Sequence, residues 1–419
     1  MSKNNSIDNH AAPASALLSV DQARQRVLDA THPIKGHEKL AVRSTLGRVL
    51  DETIFSSINV PAYDNSAMDG YAINSQNIPD KGTTTLILAG KSFAGRPFDG
   101  DMKSGQCIRI MTGAMMPNGA DTVIMQEQVT TKSDKVTISS GISKGDHVRY
   151  IGEDMKVGQP VLQPGMMITA SELGLIASLG KAEVRVKRKL RVAFFSTGDE
   201  LCSVGDVLEE GQIYDSNRYT LYGMLKRLNV DIIDMGVIPD IRDAIRDGFK
   251  TAASVADAII TSGGVSVGEA DYVKETLDEL GQINFWKVAM KPGKPMAIGQ
   301  IDGAAFFGVP GNPVSAMATF YQFVQPALKK MMGLEYKAHL KIKVPCLTTL
   351  KKTAGRLEYQ RGKLIRDDKN QLVVESTGRQ GSHMLTSMSK ANCFIILPAE
   401  NTGVESGELV EVEPFDGII

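Results

Sequence analysis

Cysteine, tryptophan and net charge are all scarce in this chain. It has four cysteines in 419 residues, Cys107, Cys202, Cys346 and Cys393. None stands at CxxC distance from another, which argues against a zinc site. So few cysteines in so long a chain also argue against a secreted disulfide framework and predict buried thiols in a reducing cytoplasm. The six histidines form no HxxxH pair, so no metalloprotease helix is present. Lysine plus arginine (47) nearly cancel aspartate plus glutamate (48). That balance argues against a nucleic-acid grip over the whole surface, because phosphate backbones need clustered positive charge. It leaves room for a local anion site. No run is long and apolar enough to span a bilayer. Met1 to Ser15 is polar and lacks the apolar stretch of a signal peptide. The expectation is a soluble, cytoplasmic protein with a loose tail before Leu17, bound to neither membrane nor nucleic acid. Walker A and GxGxxG sequences are also absent, which counts against an ordinary kinase or dehydrogenase.

Glycine, by contrast, is abundant at forty residues, and 42% of the chain is apolar. That composition is ample for several cores, and the length suggests roughly three domains. Ser19-Val-Asp-Gln22 is a capping box that predicts a helix from Val20. From Arg43 to Gly152, short apolar runs at Thr85–Leu88, Gln106–Met111, Val123–Met125 and Lys135–Ile138 predict a small β-rich module. Gly90, Gly95, Gly100 and Gly105 read as separators in it. Ser171–Leu179 reads as a helix ended by Gly180.

The pattern changes at Leu190. Apolar strands at Arg191–Ser196, Val230–Met235, Ala258–Thr261 and Ala304–Val309 alternate with amphipathic helices, which predicts a doubly wound parallel α/β domain over about Lys189–Met332. After Glu335 the strands Leu340–Val344, Gln371–Glu375, Cys393–Leu397 and Glu408–Val412, with a turn at Asp367–Asn370, predict a C-terminal β barrel or sandwich.

Ligands of open α/β sheets bind at the carboxyl ends of the strands. Those ends read Ser196-Thr-Gly-Asp-Glu200, Thr261-Ser-Gly-Gly-Val-Ser266 and Pro310-Gly-Asn-Pro-Val-Ser315, and Tyr214-Asp-Ser-Asn217 precedes a helix. Glycine lets backbone N–H groups approach a phosphate, and a following helix N-terminus favours negative charge. This edge therefore reads as built for an anion. Asp199, Glu200, Glu269 and Asp271 would repel a phosphate directly but suit Mg²⁺ held against it; Asp271 equally suits a helix cap. Lys287, Lys291 and Lys294 lie in a proline-stiffened loop, either as solvated surface or as donors to an oxyanion.

These segments, with Pro61-Ala-Tyr-Asp-Asn-Ser-Ala-Met-Asp-Gly-Tyr-Ala72, Arg109-Ile-Met-Thr-Gly-Ala114, Gly268-Glu-Ala-Asp-Tyr272 and Lys291-Pro-Gly-Lys-Pro295, resemble the MoeA family of molybdopterin molybdenumtransferases, whose module is also the gephyrin E domain. The resemblance implies insertion of molybdate into the dithiolene of adenylylated molybdopterin, with release of AMP and help from Mg²⁺. It implies an α/β multidomain architecture: a linking domain of 17–60 and 150–188, an inserted β-rich domain of 61–149, a doubly wound molybdopterin-binding domain of 189–333, and a C-terminal β barrel of 334–419. It further implies a homodimer, with the partner's N-terminal region completing the cleft, and transient contact with molybdopterin adenylyltransferase and apo-molybdoenzyme chaperones.

Carried over by motif, Asp69, Asp154, Glu200, Asp240, Asp271, Lys287 and Lys291 are expected in catalysis, with Glu200 and Asp271 on Mg²⁺. Thr112, Arg149, Ser262, Gly263, Gly264, Pro310, Gly311, Asn312, Pro313, Arg361 and Ser382 are expected to bind substrate. Asp243 competes with Asp240 for the acid after the second strand. Without the resemblance, Asp64 and Asp69 read as turn caps and Arg361 as a surface strand residue. The competing functions are molybdopterin adenylyltransferase, which resembles the α/β domain alone, and a gephyrin-like peptide scaffold. Tungstate is indistinguishable from molybdate at this level.

Overall fold

Every residue of Arg191–Thr197 after Arg191 is buried, as a strand covered on both faces requires. Successive side chains of a strand point to opposite faces. Val192 and Phe194 enter one core with Leu221, Leu225, Val314 and Phe320. Ala193 and Phe195 enter another with Ile245, Phe249, Val273 and Leu277. Helices therefore flank both faces of the sheet, and the doubly wound arrangement follows from the strand's own alternation.

The structure is a computed structural model and describes residues 17–263, 272–417 and 419. It comprises two units. One is Leu40–Leu46 with Leu50–Val184; the other is the chain up to Lys39, Gly47–Val49 and Arg185–Ile419.

In the larger unit the six-stranded sheet runs Asp231–Ile238, Arg191–Thr197, Ala258–Ser262, Ala304–Val309, Pro295–Ile301, Gly281–Lys287. The first four strands are parallel. Pro295–Ile301 runs antiparallel to both its neighbours, Ala304–Val309 and Gly281–Lys287, and these last two strands extend the sheet beyond its expected strands. Gly281–Lys287 alternates polar Gln282 and Asn284 with Ile283 and Phe285, and it pairs in register with Pro295–Ile301 across a tight connection. The lysine segment, expected as a proline-stiffened loop, joins these two strands, and within it Met290–Lys291 pairs in parallel with Leu357–Glu358. Helix Ser216–Arg227 takes in Ser216 and Asn217 of the Tyr214–Asn217 segment expected to precede it. The last helix of this domain is α-helical over Pro313–Thr319, π-helical over Phe320–Val324 and α-helical again over Gln325–Met331. Pro326 lacks a backbone donor, and the wider turn before it accommodates that loss.

C-terminal to this domain, Leu357–Arg366 lies between Cys393–Leu397 and Leu372–Ser376, and Cys393–Leu397 pairs Leu409–Pro414, which pairs Ile342–Pro345. Cys346 bridges Val374, so the hydrogen-bond path returns to its own strand set. Asn370 adopts φ 62° in the expected turn, where Asp367 Oδ1 accepts from the N–H groups of Lys369 and Gln371.

The smaller unit holds a six-stranded sheet of its own, with Gly70–Ile73 between Thr122–Met125 and Gln106–Ile110. Gly90 does not end a strand. It lies inside Thr83–Ser92, where the Phe98 ring fills the space a Cβ would need, 2.4 Å away. Helix Val20–Ala30 of the larger unit carries the expected capping box, with Ser19 Oγ accepting from Gln22 N at 3.1 Å. All four cysteines are buried and free.

Candidate functional site

In the smaller unit Asp69 sits just before the Gly70–Ile73 strand. A Cβ on Gly70 would lie 1.9 Å from the Ile124 carbonyl oxygen, so only glycine allows the strands to approach there. Asp69 Oδ1 accepts from the Thr112 backbone N–H at 2.8 Å and from its hydroxyl at 2.9 Å. These two donors, the backbone one first, hold the Asp69 carboxyl below its usual value, with Arg109 adding to the effect. Asp64 Oδ1 accepts from Ile151 N at 2.7 Å, and Asn65 and Ser66 pair with Arg149 and Val148. Gly113 N donates to Ser66 O at 2.8 Å, and Asp154 N to Val60 O at 3.0 Å. The segments 61–70, 111–114 and 149–154 thus form one cluster, with Asp69, Thr112, Arg149 and Asp154 all exposed.

In the larger unit the strand ends converge. Gly263 has φ +94°, and a Cβ there would meet Thr197 O at 2.7 Å. Its N–H donates to Val309 O at 3.2 Å. Asn217 Nδ2 donates to Ser262 Oγ at 2.7 Å and to Gly311 O at 2.6 Å. Pro313 opens the helix that follows Pro310, Gly311 and Asn312, its fixed φ suiting the first turn. The Ser196, Asp215, Asn217 and Thr261 side chains each keep a buried polar atom with no partner among the described residues. Unpaired polar groups in a core are costly, and these four belong to the first and third strands and to the segment that opens the Ser216–Arg227 helix.

Carboxylates gather at the ends of the first two strands. Glu200 folds back over Gly198, whose Cβ position lies 2.5 Å from Glu200 Oε2. Asp240 N donates to Asp199 Oδ1 at 3.2 Å. Partial burial, then Asp199 and Glu200, raise the Asp240 carboxyl above its ordinary value. Asp243 is instead paired with Arg246 at 2.9 Å on its own helix. Geometry therefore places Asp240, not Asp243, with the other acids. Among the described residues no group of three His, Cys, Asp or Glu side chains is placed to hold a metal ion. Gly264, Glu269 and Asp271 lie outside the described residues.

Cations gather elsewhere on the unit. Lys287 ends its strand and is exposed, as is Lys294. Lys291 is half exposed and paired with buried Glu358 at 3.0 Å, so its charge is partly committed. Arg361 lies in the middle of a strand and is 1% exposed, which corrects the surface reading. Its Nε donates to Ser387 Oγ and its Nη2 to Gly381 O, both at 3.0 Å. Burial pushes its guanidinium down to about 10, partly offset by Glu358. Ser382 contributes its carbonyl, accepting from Val314 N at 3.0 Å, and so ties the 380–382 loop to the start of the 313–319 helix. Sequence reasoning missed Asn217, Glu358 and Ser387. For Asn217 the available signal was the Tyr214–Asn217 loop ahead of a helix.

Three family models match the chain in order: the MoeA N-terminal region (domain I and II) over 18–180, a probable molybdopterin binding domain over 193–330, and the MoeA C-terminal region (domain IV) over 343–415. A molybdopterin molybdenumtransferase of Haemophilus influenzae is 47% identical over 405 residues, covering 96% of this chain and all of that one. A gephyrin of Dictyostelium discoideum is 33% identical, over 94% of this chain and 62% of its own length. The crystal structure of a molybdopterin biosynthesis moeA protein from Pyrococcus horikoshii superposes with a TM-score of 0.82 at 28% identity, over 96% of this chain and all of that one.

Proposed function

The chain belongs to the MoeA family, and from that premise we propose that it is a molybdopterin molybdenumtransferase, inserting molybdate into the dithiolene of adenylylated molybdopterin with release of AMP. The observation that carries this reading is the separation of charge in the larger unit. Carboxylates of Asp199, Glu200 and Asp240 stand at the first two strand ends, while Arg361 and the Lys287–Lys294 hairpin supply cationic donors.

Molybdate is a tetrahedral dianion and needs charged and hydroxyl donors. Arg361 suits it because its charge is buried without a carboxylate bonded to it among the described residues. Lys287 adds an exposed ammonium, and Lys291 does so to the extent that Glu358 releases it. The backbone of Ser262, Gly263 and Pro310–Pro313, with Gly264 beyond the described residues, borders the site for the phosphate and pterin.

The acidic cluster suits Mg²⁺: these are hard oxygen donors, and partial burial, then repulsion from Asp199 and Glu200, raises Asp240. Magnesium typically takes one or two carboxylates plus substrate phosphate oxygens, so no closed protein cage is needed. Glu200 and Asp240, with Asp271, would hold the ion. When bound, it neutralises charge at the phosphoanhydride. Asp69, Thr112, Arg149 and Asp154 form the N-terminal set, and we assign them to the same reaction. The domain division stays as 17–60 with 150–188, 61–149, 189–333 and 334–419. A cytoplasmic homodimer that meets molybdopterin adenylyltransferase and apo-molybdoenzyme chaperones fits this role.

The test supplies adenylylated molybdopterin, molybdate and Mg²⁺ and follows AMP. Molybdate-dependent AMP release is expected. Pyrophosphate release from molybdopterin and Mg-ATP, with no AMP from the first mixture, overturns the reading.

A further inference from the structure

We infer that Asn217 is a positioning residue that ties the third-strand loop to the Gly311 loop and frees the Ser262 hydroxyl to donate to an anionic oxygen of the substrate. This rests on the functional reading above and deepens it.

Asn217 lies in the first turn of helix Ser216–Arg227 and is 8% exposed. The orientation of its amide is forced. The group 2.6 Å from the Gly311 carbonyl oxygen must be the NH₂, because two carbonyl oxygens would repel at that distance. The second hydrogen of that NH₂ points to Ser262 Oγ at 2.7 Å. Both amide hydrogens are thereby used.

The consequence falls on Ser262. Its oxygen already accepts from Asn217, so its own proton cannot return along that line. Among the described residues the Ser262 hydroxyl has no acceptor, and the residue is 2% exposed. A hydroxyl held this way is a donor awaiting an acceptor. Among the described residues Asn217 Oδ1 is likewise buried without a partner and awaits a donor. A phosphate-bearing ligand with a neighbouring N–H or O–H group satisfies both.

The same bond sets the spacing of the loops. A Cβ on Gly311 would lie 3.9 Å from the Gly263 Cα, and Gly263 N reaches Val309 O, so these loops abut through bare backbone. Asn217 is the side chain that spans them, from 45 and 94 residues away in sequence.

The experiment compares Asn217→Asp, Ser262→Ala and the double variant in AMP release. Asn217→Asp keeps the shape but sets a carboxylate oxygen against Gly311 O and draws the Ser262 proton back to itself. The KM for adenylylated molybdopterin is expected to rise about tenfold or more, with kcat within about threefold, a loss of roughly 1.4 kcal/mol of substrate binding. The double variant is expected to be no worse than Asn217→Asp, because the two residues act through one hydrogen bond. Unchanged KM, additive losses, or a kcat loss alone overturns the inference. A purely structural role would lower the urea midpoint and the active fraction without moving KM. Should Asn217→Asp fail to fold, Asn217→Ser removes the bond to Gly311 without adding charge, and the same KM rise is expected. Absence of AMP release by the wild type would sink the functional reading itself, whereas wild-type turnover with an unmoved KM in the variants sinks only the role of Asn217.

Discussion

Thr112 donates twice to one oxygen of Asp69, from its backbone at 2.8 Å and from its hydroxyl at 2.9 Å. The acid and the hydroxyl that the sequence motifs singled out 43 residues apart are thus direct partners. Asp69 acts as an acceptor for the Met111–Ala114 turn through Oδ1, and its second oxygen has no hydrogen-bond partner among the described residues.

That contact has a pH signature. The Asp69 carboxyl is held below its ordinary 3.8 by the Thr112 donors. A depressed carboxyl contributes stability that is present above the unfolded value and lost as pH falls through the folded one. An NMR titration is expected to place the Asp69 inflection below 3.8 and to move it upward in Thr112→Val, which keeps only the backbone donor. An inflection that does not move would show that the hydroxyl contributes nothing.

Asp240 titrates in the opposite sense. Its carboxyl is raised by partial burial and by Asp199 and Glu200. The folded state therefore carries a penalty of desolvation and repulsion above the raised value, which disappears as protonation proceeds below it. Asp240→Asn is expected to raise the urea midpoint at pH 7, to give no gain at pH 3, and to reduce AMP release about tenfold or more. Mg²⁺ is expected to raise the wild-type midpoint more than that of the variant. Equal midpoints at pH 7 would count against the acidic cluster.

Gly263 has no room for a methyl group. Its φ of +94° and the Thr197 oxygen 2.7 Å from a Cβ both oppose Gly263→Ala. Strain of this kind costs about 1–3 kcal/mol. We expect a lower melting temperature and a rise in KM, since the loop backbone must shift away from its ligand. A variant of wild-type stability and KM would contradict the convergence of these loops.

Arg361 holds a buried charge at an energetic penalty. A guanidinium lowered to about 10 is disfavoured in its charged form throughout the physiological range, and the penalty is relieved only above that pH. Arg361→Met removes the charge together with its bonds to Ser387 and Gly381, so its net cost is expected to be no more than about 2 kcal/mol. AMP release, in contrast, is expected to fall about a hundredfold. Strong unfolding with retained specific activity would mark Arg361 as structural.

The local features were legible because their causes are local. The Ser19–Gln22 capping box, the alternation in Arg191–Thr197 and the Asp367 turn each depend on residues a few positions apart. The family motifs also lie along the chain as read, so the class of chemistry followed from sequence alone. Tertiary structure decided what depends on remote neighbours. Gly281–Lys287 becomes a strand only through its register with Pro295–Ile301, since its polar residues give no apolar run. Arg361 is buried because Ser387 and Gly381 meet its donors, 26 and 20 residues on. Asp240 is distinguished from Asp243 by Asp199, brought from 41 residues away. Asn217 matters because two loops close on its amide. Sequence spacing specifies backbone conformation, whereas the partner of a side chain is fixed only when the strands carry distant residues to one edge.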